Sequence, residues 1–154
     1  MFDLSSLLIA LVAGVLGSIA MLLSMRTVFS PNGKPINMLA AVGSLFLGRT
    51  RKAELLGAGI HFIAGVIFSF GYIALFLTLG LTSLLKAGAA GIGFGFLHGL
   101  VVAYGLMAFI ADRHPIEEYR CASLPVACIH LVGHLVFGGT VGIVAAAGFK
   151  LTAS

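Results

Sequence analysis

The sequence is short of charge, and its charged residues are confined to a few places. Only 9% of the 154 residues are Asp, Glu, Lys or Arg, whereas a soluble domain has about 25%. Four long stretches contain no such residue at all: residues 4–25, 55–85, 87–111 and 121–149. The composition therefore indicates an integral membrane protein rather than a soluble domain.

Cysteine is scarce, and carboxylates are missing from the apolar stretches. Cys121 and Cys128 are seven residues apart, which on a helix separates their Cα atoms by about 10 Å, too far for a disulfide. We interpret both as free, buried thiols, and without a C-x-x-C motif a thiol oxidoreductase is disfavoured. The absence of Asp and Glu also disfavours a carboxylate-bridged di-iron centre. Because no basic segment precedes residue 4, we interpret the first stretch as a retained helix rather than a secretory signal.

Each charge-free stretch can cross a bilayer as one helix, because roughly 20 apolar residues cover a ~30 Å hydrocarbon core. We predict spans at about residues 4–25, 55–81, 89–111 and 121–148. The apolar segment 36–48 is too short to span, and we expect an interfacial helix or a re-entrant half-helix there. The predicted fold is all-α, with one membrane domain over residues 1–154. It is a four-transmembrane-helix bundle with this half-helix between spans 1 and 2.

The basic residues predict the orientation of the chain in a bacterial inner (plasma) membrane. Seven lie on one side of the predicted spans and only Lys86 and Lys150 on the other; the seven are Arg26, Lys34, Arg49, Arg51, Lys52, Arg113 and Arg120. Because cytoplasmic loops carry the excess of Lys and Arg, we predict that both termini lie outside the cytoplasm. The net charge of +4 is then explained by basic residues at the membrane surface, which set the orientation of the chain, and it does not indicate a nucleic-acid partner.

Four histidines lie inside the predicted spans: His61, His98, His130 and His134. An imidazole at bilayer depth is costly without a partner, so each is a candidate site residue. All four share helix faces with small residues that allow close packing; on the third span this face is Gly91, Gly95, His98, Val102 and Gly105. We therefore expect the rings to point into the bundle, in its cytoplasmic half. His114, between the third and fourth spans, is expected in a solvated loop.

Several interpretations of the intramembrane histidines stay open. In the first, each ring makes a structural hydrogen bond across an interface, with Ser69, Tyr72, Tyr104 and Thr140 as candidate partners. In the second, His130-x-x-x-His134 binds zinc, copper, iron or nickel, with His61 and His98 completing the ligand set. In the third, two of the four hold one b-type haem. A metal-ion or proton transport route is a further alternative. The sequence does not identify the cofactor.

Three segments are similar to an uncharacterised family of small four-helix bacterial inner-membrane proteins, a domain of unknown function: PINMLAAVGSLFLG, GIHFIAGVIFSFGYIALF and HLVGHLVFGGTVG. The resemblance covers about residues 35–145 and implies a four-helix membrane protein. The family has no assigned activity, and His98 and His130 are additional to its pattern. The sequence as a whole favours a small membrane protein that is not an enzyme. Its expected partners are the lipid bilayer and either other subunits of a membrane complex or further copies of itself.

Overall fold

The structure, a computed structural model, describes residues 3–25, 37–105, 113–120 and 123–152. Its helices are α1 (Leu4–Met25), α2 (Met38–Leu47), α3 (Arg51–Thr78), α4 (Leu84–Gly105) and α5 (Leu124–Thr152), with a 3₁₀ turn at Glu117–Tyr119. All except α2 are long and apolar enough to cross a membrane. The predicted all-α bundle with a short half-helix is confirmed. Arg26, Lys34, Cys121 and the end of the predicted third span lie outside the described residues. Cys128 is a free thiol but is exposed, so the expectation of burial is wrong for this residue.

Three helices extend beyond the charge-free stretches. Helix α3 begins at Arg51, α4 begins at Leu84 and so includes Lys86, and α5 continues past Lys150. The end of a helix is set by capping of its backbone and not by the position of the first charged residue. The C-terminus of α3 is followed by Gly80, whose φ of +65° is the left-handed conformation that favours glycine just after a helix.

Helices α4 and α5 pack backbone to backbone. The buried residues of α4 recur at every fourth position and are all small: Ala87, Gly91, Gly95, Gly99 and Ala103. A Cβ atom on Gly91 would overlap the carbonyl of Gly138, and one on Gly138 would overlap the carbonyl of Gly91. The predicted face continued from Gly95 to His98 and Val102, whereas the observed one continues to Gly99 and Ala103. His98 therefore lies at the edge of the α4–α5 interface.

Helix α1 lies against both α3 and α5. It meets α3 where Gly14 faces the Cα atom of Val66, and it meets α5 where Gly17 faces the ring of Phe137. The small residues of α1 at these contacts are all buried; they are Ala10, Ala13, Gly14, Gly17 and Ser18. Helix α1 therefore packs against its neighbours through small residues.

Helices α3 and α4 are consecutive in the chain but contact each other at only a few residues. The ring contacts across this seam are Phe76 with Phe94, Tyr72 with both Phe94 and His98, and Phe68 with His98. The helices are therefore arranged in space as α2, α3, α1, α5 and α4, with a seam between α3 and α4 that is closed mainly by aromatic rings.

The half-helix α2 folds back antiparallel along the first turns of α3. The Asn37 side chain caps it by accepting a hydrogen bond from the Ala40 N–H at 3.0 Å. A Cβ atom on Gly43 would overlap the carbonyl of Ala53, and one on Gly57 would overlap the carbonyl of Leu39. A re-entrant segment must pack against protein in this way, and an interfacial helix can do the same, so the choice between the two forms stays a prediction.

His114 is buried, and the expectation of a solvated loop is wrong for this residue. Only 1% of its surface is exposed. Its Nε2 atom lies 3.0 Å from the Ala41 carbonyl oxygen and its Nδ1 atom accepts from the Ile116 N–H at 3.0 Å. The Arg120 Nε–H donates to the His114 carbonyl at 2.7 Å. Segment 113–120 is thus fixed to α2, a contact that sequence spacing cannot indicate.

Candidate functional site

The four intramembrane histidines all line one cavity of about 360 Å³. His61 reaches it from α3, His98 from α4, and His130 and His134 from α5. Helices α1 and α2 complete the wall, so every described helix contributes to it. This volume is in the range of small-molecule pockets, about 300–1,000 Å³.

The rest of the cavity wall is almost entirely apolar. Its aromatic members are Phe46, Phe68 and Phe137, and Ser18 also belongs to the wall. The remaining side chains are aliphatic, thioether or glycine: Met21, Leu22, Met25, Met38, Leu39, Val42, Leu45, Gly57, Ile60, Ala64, Gly65 and Val102. No charged side chain lies among these wall residues. The imidazoles are therefore the main polar feature of an otherwise hydrocarbon-like space.

Three of the rings use one nitrogen to bond a backbone carbonyl. His61 Nε2 lies 3.2 Å from the Ser18 oxygen, His130 Nδ1 lies 2.8 Å from the Val126 oxygen, and His134 Nδ1 lies 2.7 Å from the His130 oxygen. Because a carbonyl oxygen only accepts, each of these nitrogens carries the proton. The second nitrogen of each neutral ring is then an acceptor, and it makes no hydrogen bond within the described part of the chain.

His98 is held from three directions. The Tyr72 hydroxyl lies 3.2 Å from its Nδ1 atom, and the Phe68 ring stacks on it with centroids 3.7 Å apart. The His134 ring meets it edge to face at 4.7 Å. Tyr72 is only 5% exposed and also contacts Phe94 and Phe137. The position of His98 between α3 and α5 is therefore fixed by aromatic packing and one hydrogen bond.

The predicted side-chain partners have different outcomes. Tyr72 does contact a histidine. Tyr104 is 74% exposed, and Thr140 donates to the Val136 carbonyl of its own helix. Ser69 and Ser18 carry the two fully buried side-chain oxygens that have no hydrogen-bond partner among the described residues. Three of the four histidines bond backbone oxygens instead, which residue types alone do not reveal.

The structure brings the histidines to one cavity without forming an ion-binding group. Among the residues that it describes, no three His, Cys, Asp or Glu side chains are placed to hold a metal ion. The rings of His98 and His134 touch, so a haem cannot lie between this pair. Metal and haem binding through His61, His98, His130 and His134 stay predictions.

The described basic residues that precede or begin α3 lie at one end of the bundle, close to segment 113–120. Arg49, Arg51 and Lys52 are exposed, and Arg49 forms an ion pair with Glu118 at 3.1 Å. At the opposite end, Asp3, Ser83 and Lys150 line a wider depression of about 860 Å³. No described histidine lines that second depression, so the candidate site is the cavity between the helices.

The chain was compared with protein-family models, curated proteins and solved structures. Membership of the family suggested by the three segments stays a prediction, because no family model, no curated protein and no solved structure significantly matches this chain.

Proposed function

We propose that this protein binds a lipid-soluble small molecule inside the membrane, in the cavity between its helices. One observation carries the proposal: imidazoles from three different helices open on a single apolar cavity of about 360 Å³. Ligand sites are typically apolar pockets in which a few convergent polar groups fix the orientation of the ligand. Here the apolar wall would hold the body of the molecule and the imidazoles its polar group.

The position of the cavity supports a ligand that arrives from the bilayer. The lining residues belong to the apolar half-helix α2 and to the four helices that are long and apolar enough to cross a membrane. Phe68 lines the cavity and is also 40% exposed, at the seam between α3 and α4. Phe46 of α2 also lines the cavity and is 69% exposed. A side chain that belongs to both the wall and the outer surface marks an opening, so we infer one opening at the seam and a second beside α2.

A bound transition metal is the second candidate, and one observation favours it. Histidines that bind metal usually donate their other ring N–H to a carbonyl or carboxylate, which fixes the ring for coordination. His61, His130 and His134 make such bonds to backbone oxygens. Elemental analysis of purified protein tests this candidate: near-stoichiometric metal that is lost in His130→Ala supports it. A Soret band in the visible spectrum indicates haem instead.

Filling the cavity tests the proposed function. Val102 lines the cavity, whereas its neighbour Val101 is 73% exposed on the outer face of α4. We expect radiolabelled para-octylphenol to bind saturably, one molecule per chain, to wild-type protein and to Val101→Phe in lipid nanodiscs. Val102→Phe should bind at least about tenfold more weakly, because the ring occupies the ligand's space. Equal binding by both variants, or no saturable binding to wild type, overturns the proposal.

A further inference from the structure

We infer that the cavity selects a ligand that donates hydrogen bonds, namely a phenol or hydroquinone with an apolar tail. This inference rests on the proposed function and adds the chemical class of the ligand to it. Three neutral imidazoles offer acceptor nitrogens to the cavity, and apart from His98 and Ser18 the rest of its described wall is apolar or aromatic. A hydroxylated aromatic ring on a hydrocarbon tail is complementary to both features.

Hydrogen bonds to backbone carbonyls determine which nitrogen of each imidazole is the donor and which is the acceptor. The proton of each ring is held on the nitrogen that faces a carbonyl: Nε2 of His61, Nδ1 of His130 and Nδ1 of His134. The remaining nitrogens are absent from the fully buried atoms without a partner, which in the described chain are only Ser18 Oγ and Ser69 Oγ. The three acceptor nitrogens are therefore not fully buried, and their rings line the cavity.

A ligand without a donor would leave these acceptors unsatisfied. A quinone or an ether brings only further acceptors, and an acceptor cannot bond an acceptor. A phenolic O–H supplies the missing proton, and in a dry cavity the discrimination is large because the alternative is an unpaired polar group.

Ser18 belongs to the cavity wall, but its hydroxyl oxygen is fully buried and occupies the space that a Cβ atom on Gly65 would need, so it does not open on the cavity. The neighbouring ring of Phe137 is suited to an aromatic ligand, because aromatic pairs favour edge-to-face and offset contacts.

The test compares two probes that differ by one methyl group, para-octylphenol and para-octylanisole. Each is titrated into wild-type protein in lipid nanodiscs, with partitioning into empty nanodiscs subtracted. We expect the phenol to bind about tenfold more tightly than its methyl ether, a ratio typical of losing one buried hydrogen bond. In His134→Phe, which keeps a ring but removes the acceptor, the ratio should fall several-fold.

Binding of the ether serves as the folding control for that variant. If His134→Phe still binds para-octylanisole with wild-type affinity, the cavity is intact and the ratio can be interpreted. His61→Phe is the second variant, should His134→Phe fail to fold. Equal affinity of wild-type protein for both probes overturns this inference and leaves the proposed function standing. If neither probe binds saturably to wild-type protein, both this inference and the proposed function are overturned.

Discussion

Nε2 of His114 lies 3.0 Å from the carbonyl oxygen of Ala41, although 73 residues separate them in the chain. The contact joins segment 113–120 to the half-helix α2, and the Tyr119 ring packs on the imidazole at 5.1 Å. Burial, with a smaller effect of the Glu118 carboxylate, raises the pKa of Tyr119, so its phenol stays neutral. Because α2 forms part of the cavity wall, this contact positions one side of the candidate site.

Replacing His114 should destabilise the protein. His114→Ala removes a buried hydrogen-bonding ring and leaves a void, so we expect a loss of about 1–3 kcal/mol in unfolding free energy. Arg49→Ala removes one partner of the exposed Arg49–Glu118 ion pair and should cost less than about 1 kcal/mol. Reversible unfolding in mixed detergent–SDS micelles measures both. Similar losses in the two variants would contradict the role assigned to His114.

A pair of glycines on α4 tests the close packing of α4 and α5. Gly91→Ala would place a methyl group on the carbonyl of Gly138, and we expect a loss of about 2 kcal/mol as the helices separate. Nothing lies within 4 Å of the corresponding position at Gly93, so Gly93→Ala should be neutral or stabilise the helix by up to about 1 kcal/mol. The same unfolding assay compares them, and a harmless Gly91→Ala would refute the packing.

The first turn of α1 should loosen at low pH. Hydrogen bonds from the Ser6 N–H, the Ser6 hydroxyl and the Ser5 hydroxyl lower the pKa of Asp3 from 3.8 to about 2. A lowered pKa means that these bonds stabilise the turn above pH ~4 and are lost as the pH falls through about 2. Carboxyl ¹³C NMR should show a midpoint near 2 that moves towards 3.8 in Ser6→Ala. Ser44→Ala, at the other end of the bundle, should leave it unchanged.

The predicted orientation can be tested with reporter fusions. The Arg49–Glu118 ion pair places the basic segment before α3 and segment 113–120 at one end, and the excess of basic residues predicts that this end is cytoplasmic. We expect alkaline phosphatase fused to the C-terminus to be active in a bacterial host, and the enzyme inserted after Glu117 to be inactive. The reverse pattern would show that both termini are cytoplasmic.

Sequence reasoning predicted the helices because their signal is local. A run without charge, long enough for a bilayer, identifies α1, α3, α4 and α5 independently of one another. Their exact ends were less accurate, since Arg51 and Lys150 are helical while charged. A helix tolerates charge near its ends, where long side chains reach the membrane surface.

The candidate site was predicted in part, because residue patterns reveal helix faces but not neighbouring helices. The histidines were expected to point into the bundle, and the cavity lined by all four agrees with this. The small-residue face of α4 was predicted correctly as far as Gly95. Beyond Gly95 the prediction placed His98 on this face, whereas the buried residues continue at every fourth position to Gly99. The burial of His114 depends on Ala41 and Ser44, far away in the chain, and no local pattern could indicate it.

The sparse contact between α3 and α4 has a mechanical consequence. Helices α1 and α5 form the centre of the bundle; the α2–α3 pair packs on α1, and α4 packs on α5. A thinner or thicker bilayer changes the tilt that each helix adopts, and α3 and α4 can then move apart or together at their seam. The lipid composition of the surrounding membrane would thereby adjust the width of the histidine-lined chamber.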